Sequence, residues 1–333
     1  MTSTRAWAIA ARYGGWAKRQ CGAALVVAAL LAPMGCSPGP ASGLGFVAVS
    51  RAHDVGGYSG LEVRTPHYRL LTTVRDDGVI DRFVRVMESA YAEYAALVPP
   101  ASPATVPLEI VLLARPEEWD AYTRRLTGAD APIYLSVGPG GYTFGDRFVC
   151  WLFNENDLWG VAAHEGFHQY VARHLPARLP PALEEGIAST FEEVSVTGTS
   201  VRINRQANAR RQQGLSMAAK PGGQWPISDL IRMHAGDVAG RELGTREAFY
   251  GQCWALARVL LETPETAAGL RRMLVDLRDG RSPGVGRTAV GGLYHPAAAR
   301  PLLQTYMARD WPSFERTYRE WIDRNMAAGT RDD

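Results

Sequence analysis

Residues 164–168 read His-Glu-Gly-Phe-His, and this pentapeptide constrains the chain more than any other stretch. Two histidines four positions apart share a face only in an α-helix, where residues i and i+4 lie one above the other. The spacing therefore predicts a helix through LWGVAAHEGFHQYVARHL, with both imidazoles aimed at one point. A zinc ion takes imidazole nitrogens at about 2.0–2.1 Å. Glu165, beside the first histidine, is placed to hold a zinc-bound water and take its proton. His164 and His168 are thus candidate metal ligands and Glu165 the candidate general base. The plain alternative is a pair of surface histidines on an ordinary helix.

Two histidines do not complete a catalytic zinc site; three protein ligands plus a water are the norm. A following element must supply the third. PALEEGIASTFEEV reads as a helix and offers Glu184, Glu185, Glu192 and Glu193. On such a helix Glu192 and Glu193 lie two turns beyond Glu185, too far to share its ion. One of them can instead accept a hydrogen bond from a histidine ring.

Here the chain resembles the gluzincin branch of the HExxH metallopeptidases, in which a helix beginning Glu-Gly-x-Ala donates the third ligand. Glu185-Gly186-Ile187-Ala188 matches that pattern. The resemblance implies Glu185 as the ligand; Glu184 stands where the motif often has Asn, so an exchange between the two acids stays open. The metzincin-type pattern, with His174 as third ligand, is broken: Val171 replaces the glycine it needs. HYRLLTTV, LEIVLLARPEEWDAY, GGYTFGDRFVCWL and FYGQCWALARVLL further resemble the peptidase-MA-like family of bacterial exported proteins. That resemblance implies a zincin-like fold, a zinc ion, and a peptide or protein substrate. It also implies an edge strand that binds extended substrate, for which YTFGDRFVCWL is the candidate. A donor to the oxyanion completes such a site. Tyr250 in FYGQCW is the candidate, His234 a second, and a buried core tyrosine the alternative for Tyr250.

The fold class follows from the order of elements. HYRLLTTV is β-branched and loosely alternating, a strand. In DDGVIDRFVRVMESAYAEYAALV, Ile80, Phe83, Val84, Met87, Tyr91 and Tyr94 recur at helical spacing, with Asp76 or Asp77 as cap. PLEIVLLA is a continuous apolar run, a buried strand. PEEWDAYTRRL is a helix with Pro116 in its first turn, and RFVCWLF is another strand. From residue 204 onward the candidates are all helices. Strands mixed with helices first, then helices alone, predict an α+β fold. The expected division is an α/β part over 61–160 and a helical part over 161–330, with the active-site cleft between them.

The N-terminus is expected to be a targeting segment. Arg5, Arg12, Lys18 and Arg19 precede the apolar run Cys21–Gly35, too short to span a membrane. It ends at Cys36, as in a lipoprotein signal, although Pro33 stands where leucine is usual. Residues 1–36 are thus read as a signal, with membrane attachment through a lipidated Cys36, and 37–60 as a Gly/Ser/Pro-rich linker. The expected location is the periplasm or cell envelope. Cys150 and Cys253 remain in the mature part, either as a disulfide or as buried free thiols. The net charge of +2, from 36 basic and 34 acidic residues, gives no nucleic-acid footprint. Besides a peptidase, the sequence leaves open a non-catalytic envelope protein that keeps the fold, and a zinc hydrolase of a non-peptide amide.

Overall fold

The computed structural model describes residues 49–102, 106–136, 140–177, 179–218, 224–282, 296–308 and 310–329. The expected signal, Cys36 and the first part of the expected linker lie outside the described residues. Among the described residues no helix is long and apolar enough to cross a membrane.

A six-stranded sheet runs in the order β1-β2-β3-β4-β6-β5. Its strands are β1 (Val49–Val55), β2 (Tyr58–Arg64), β3 (Tyr68–Thr72), β4 (Leu108–Leu113), β5 (Gly141–Phe144) and β6 (Arg147–Trp151). β3, β4 and β6 are parallel; the outer pairings are antiparallel. The linker expectation for 37–60 needs correction, because β1 and the start of β2 occupy its end. VSRAHDV is an edge strand facing water, so it lacks the apolar alternation that marks a strand in sequence. Gly56 and Gly57 close the hairpin at φ 62° and 89°, where other residues are strained.

Helix α1 (Asp77–Leu97) carries the chain from β3 to β4, and α2 (Pro116–Thr127) with α3 (Ala131–Leu135) carries it from β4 to the β5–β6 hairpin. The Asp76 carboxylate caps α1, accepting from the amides of Gly78 and Val79 at 2.8 and 3.1 Å. The six apolar residues expected on the inner face of α1 are all buried. The sheet is covered on both sides. Leu70, Ile110, Leu112, Phe148 and Cys150 pack with the α1 side. Leu71, Val111, Leu113 and Val149 pack with Trp119 of α2 and Tyr142. β4 is buried on both faces, which is why its sequence is continuously apolar.

After β6, Asn154 caps helix α4 (Glu155–His174) by accepting from the Asn156 amide at 3.0 Å. Helix α5 (Pro181–Ser189) follows. It is shorter than expected. The chain leaves it at Thr190 and forms a hairpin, β7 (Val194–Thr197) and β8 (Ser200–Ile203), turned by Gly198 at φ 59°. The helical part expected over 161–330 thus also holds a small hairpin, while the described elements after residue 204 are helices as expected. Val194, Val196, Val201 and Ile203 alternate with polar residues, a period of two that a helix cannot use. The rest is helical: α6 (Ala209–Ala218), α7 (Ile227–Leu230), α8 (Ala235–Val238), α9 (Leu243–Glu262), α10 (Pro264–Arg278), α11 (Ala299–Tyr306) and α12 (Trp311–Gly329). Helix α9 is the axle of this half, packing on α5, α6, α10 and α12. The result is a mixed α/β protein with a small sheet, as the α+β expectation requires. Cys150 and Cys253 are both free and buried, so the disulfide alternative is not formed.

Candidate metal centre

Helix α4 presents His164 and His168 on one face, and α5 crosses it so that Glu185 meets both. The two Nε2 atoms are 3.2 Å apart. Glu185 Oε2 lies 3.2 Å from His164 Nε2 and 3.5 Å from His168 Nε2. The three ligand atoms thus form a small triangle, the one metal-capable cluster among the described residues. A tetrahedron with bonds of about 2.0–2.1 Å has edges of about 3.3–3.4 Å, so the triangle has the right size for zinc.

The outer ring nitrogens decide what the triangle needs. His164 Nδ1 contacts Glu192 Oε1 at 2.7 Å, and His168 Nδ1 contacts Glu184 Oε1 at 2.9 Å. A carboxylate only accepts, so each neutral ring carries its proton on Nδ1 and turns a lone pair inward at Nε2. Two lone pairs and a carboxylate oxygen then face one another across hydrogen-bond distances. Such a group repels itself unless a cation sits among the three. Without a metal the cation is a proton: Glu185 and Glu192 raise the His164 ring against the opposing effect of burial. Glu185 is held far below the ordinary carboxylate range, where the adjacent histidines outweigh burial. The residues present fit a divalent ion.

The structure places Glu184 against His168 Nδ1 and Glu185 in the triangle. Glu192 is not two turns along a helix from Glu185. Because α5 ends at Ser189, the chain turns back and brings Glu192 onto His164, while Glu193 faces solvent. Gly160 permits that return; a Cβ there would stand 2.7 Å from the Glu192 carbonyl oxygen. Gly186 has a related role. Its absent Cβ would fall 2.0 Å from the Cys253 carbonyl oxygen, so α5 and α9 touch backbone to backbone.

Glu165 lies beside the triangle. Burial pushes its carboxyl up, with the two histidines pulling the other way. Thr143 Oγ1 is 3.1 Å from Glu165 Oε2. Thr143 belongs to β5, one of the two edges of the sheet; β6, also part of the expected substrate strand, is interior. The Tyr250 ring stands edge-on to His164, with centroids 6.5 Å apart. Burial, then Glu185, raises its phenol well above the ordinary value, so it keeps its proton and can donate. The His174 ring packs tilted against Tyr170 with centroids 4.4 Å apart, and His234 caps α8; neither belongs to the triangle.

Arg211 and Asn208 were not among the candidate residues read from sequence. Buried Arg211 donates Nε to Glu192 Oε2 at 2.8 Å and Nη2 to Glu192 Oε1. Asn208 Nδ2 donates to Glu192 Oε2 at 2.7 Å. The same guanidinium lies 4.8 Å over the Tyr250 ring and 3.3 Å from Glu247. One cation thus steadies both the carboxylate behind His164 and the tyrosine beside it. No family model, no curated protein and no solved structure matches the chain.

Proposed function

We propose that the chain is an exported, zinc-dependent peptidase of the gluzincin type, with a zincin-like fold and its cleft between the α/β and helical halves. The observation that carries this reading is the triangle of three inward-facing acceptors, sized for a tetrahedral ion, with a buried carboxylate beside it. Zinc held by His164, His168 and Glu185 would polarise a substrate carbonyl and lower the pKa of a bound water. Glu165 takes the proton of the attacking water and passes it to the leaving amine, the work its raised pKa favours. Thr143 holds the carboxylate in line for both transfers. The Tyr250 hydroxyl donates to the carbonyl oxygen as negative charge develops there. Extended peptide lies along the free edge of β5 by strand addition. Residues 1–36 direct export, and a lipidated Cys36 attaches the enzyme to the membrane.

The test takes the chain without residues 1–36. Mass spectrometry should find one zinc per chain, and a peptide library should be cleaved. Glu165→Gln should keep the zinc and lose cleavage. A metal-free parent protein, or a Glu165→Gln variant as active as the parent, removes the proposal. Stoichiometric zinc with no peptide cleaved would favour a non-peptide amide substrate.

A further inference from the structure

A second charged site lies apart from the metal triangle, where the chain leaving β8 meets α9 and α10. Arg205 and Arg258 are both half-buried, and each has a buried Nε–H with no hydrogen-bond partner among the described residues. The Arg205 Cζ lies over the Phe191 ring, 4.8 Å from its centroid, a cation–π contact. Arg258 donates Nη1 to the Arg205 carbonyl oxygen at 3.3 Å, which brings the two residues together. Arg271, exposed on α10, adds a third positive charge.

The acids nearby do not satisfy this group. Glu93 on α1 approaches Arg205 Nη1 at 3.7 Å, beyond hydrogen-bond distance, and is 42% exposed. Glu262 acts on Arg258 from the exposed end of α9. Arg205 is less basic than an ordinary arginine, through burial first; Glu93 opposes that, and repulsion from Arg271 and Arg258 adds to it. A buried donor without a partner costs about 1–3 kcal/mol. Arg69, Arg147 and Arg246 also have a buried Nε–H without a hydrogen-bond partner, but only Arg205 and Arg258 bring two such donors together on residues in contact with each other.

We infer that Arg205, Arg258 and Arg271 form a binding site for a phosphate-type oxyanion. Guanidinium forks pair with the oxygens of phosphate by two parallel hydrogen bonds. Arginines arriving from three separate elements suit a tetrahedral set of oxygens better than one planar carboxylate. Phe191, which precedes Glu192 and packs on Tyr94 and Phe167, links the site to the metal centre.

The test is calorimetric titration of inorganic phosphate into the whole zinc-loaded protein at constant ionic strength, with chloride as control. Saturable binding at one site is expected. Arg271→Gln, an exposed change that leaves the core alone, should weaken it roughly tenfold, the worth of one charge-assisted hydrogen bond. Arg258→Gln should abolish it, with unchanged circular dichroism as the check on folding. Sedimentation with vesicles of phosphatidylglycerol or phosphatidylcholine identifies the source. Pelleting with the anionic vesicles only, lost in Arg271→Gln, assigns a lipid headgroup. Phosphate binding without pelleting assigns a free phosphate group. Heats no different from chloride, or a parent-like Arg271→Gln and Arg258→Gln, overturn the inference. None of these outcomes depends on peptidase activity.

Discussion

Glu192→Gln keeps the shape of the side chain and removes its charge. In the native protein both carboxylate oxygens are fully used: Oε1 by His164 Nδ1 and Arg211, Oε2 by Asn208 and Arg211. An amide nitrogen in either place faces two donors and can accept from neither. Hydrogen bonds to charged groups are worth about 1.5–3 kcal/mol each. Glu247 at 3.3 Å remains to Arg211 and takes back part of that loss. The expected cost is about 3 kcal/mol, a fall in Tm of about 4–6 °C for a chain of this size. Zinc affinity should fall by about 10–100-fold, because His164 loses the partner that fixes its ring. Chelator competition measures the affinity and calorimetry the stability. The double variant Glu192→Gln/Arg211→Met separates the two effects. It removes the stranded guanidinium and should regain stability, while zinc binding stays weak. If Glu192→Gln binds zinc as tightly as the parent, the role assigned to Glu192 is wrong.

Three further outcomes are expected. Tyr250→Phe should leave zinc content unchanged and lower kcat by about 10²–10³, the usual cost of losing one oxyanion donor; an unchanged kcat would return Tyr250 to a packing role. Gly186→Ala puts a Cβ 2.0 Å from the Cys253 carbonyl oxygen, so a loss of about 2–3 kcal/mol in denaturant unfolding is expected, together with weaker zinc binding. Glu62, with its side chain fully covered, is held at about 2 from 4.5, by the Arg69 hydrogen bond first, then against burial by Arg51 and Arg64. A lowered carboxyl stabilises the fold fully above about pH 4.5 and loses that contribution as pH falls through about 2. Because Arg51 and Arg64 are 64% and 51% exposed, the effect is discounted to about 1–2 kcal/mol. The stability gap between parent and Glu62→Gln should therefore be constant near neutrality and close in acid; a gap independent of pH would refute it.

The parts of the fold legible in sequence were those whose local chemistry and burial agree. Asp76, one of the two expected caps, does cap its helix, and β4 reads as buried because both its faces are. The β1–β2 hairpin was hidden because an edge strand facing water carries no apolar rhythm. The β7–β8 hairpin did carry a rhythm of two, masked by the helix-like run before it. In the site, spacing places His164, Glu165 and His168 together, because one helix holds all three. Glu185 was reachable only through resemblance to a family motif. Arg211 is a different case. Its neighbours Glu192, Glu247 and Tyr250 come from two other segments, and nothing local in NRQANARRQ distinguishes it from its neighbours Arg205 and Arg210.

The contact at Gly186 bears on how this protein can change over time. Glu185 and Tyr250 ride on two helices whose main chains touch, with no side chain between them to be enlarged or trimmed. Substitutions elsewhere in the core can alter volumes and shift helices by small amounts without passing through that point. The span from Glu185 to Tyr250 is therefore set by backbone, and the remainder of the sequence is free to diverge around it. Laboratory drift under selection for folding alone should accumulate changes throughout α10, α11 and α12 sooner than at Gly186.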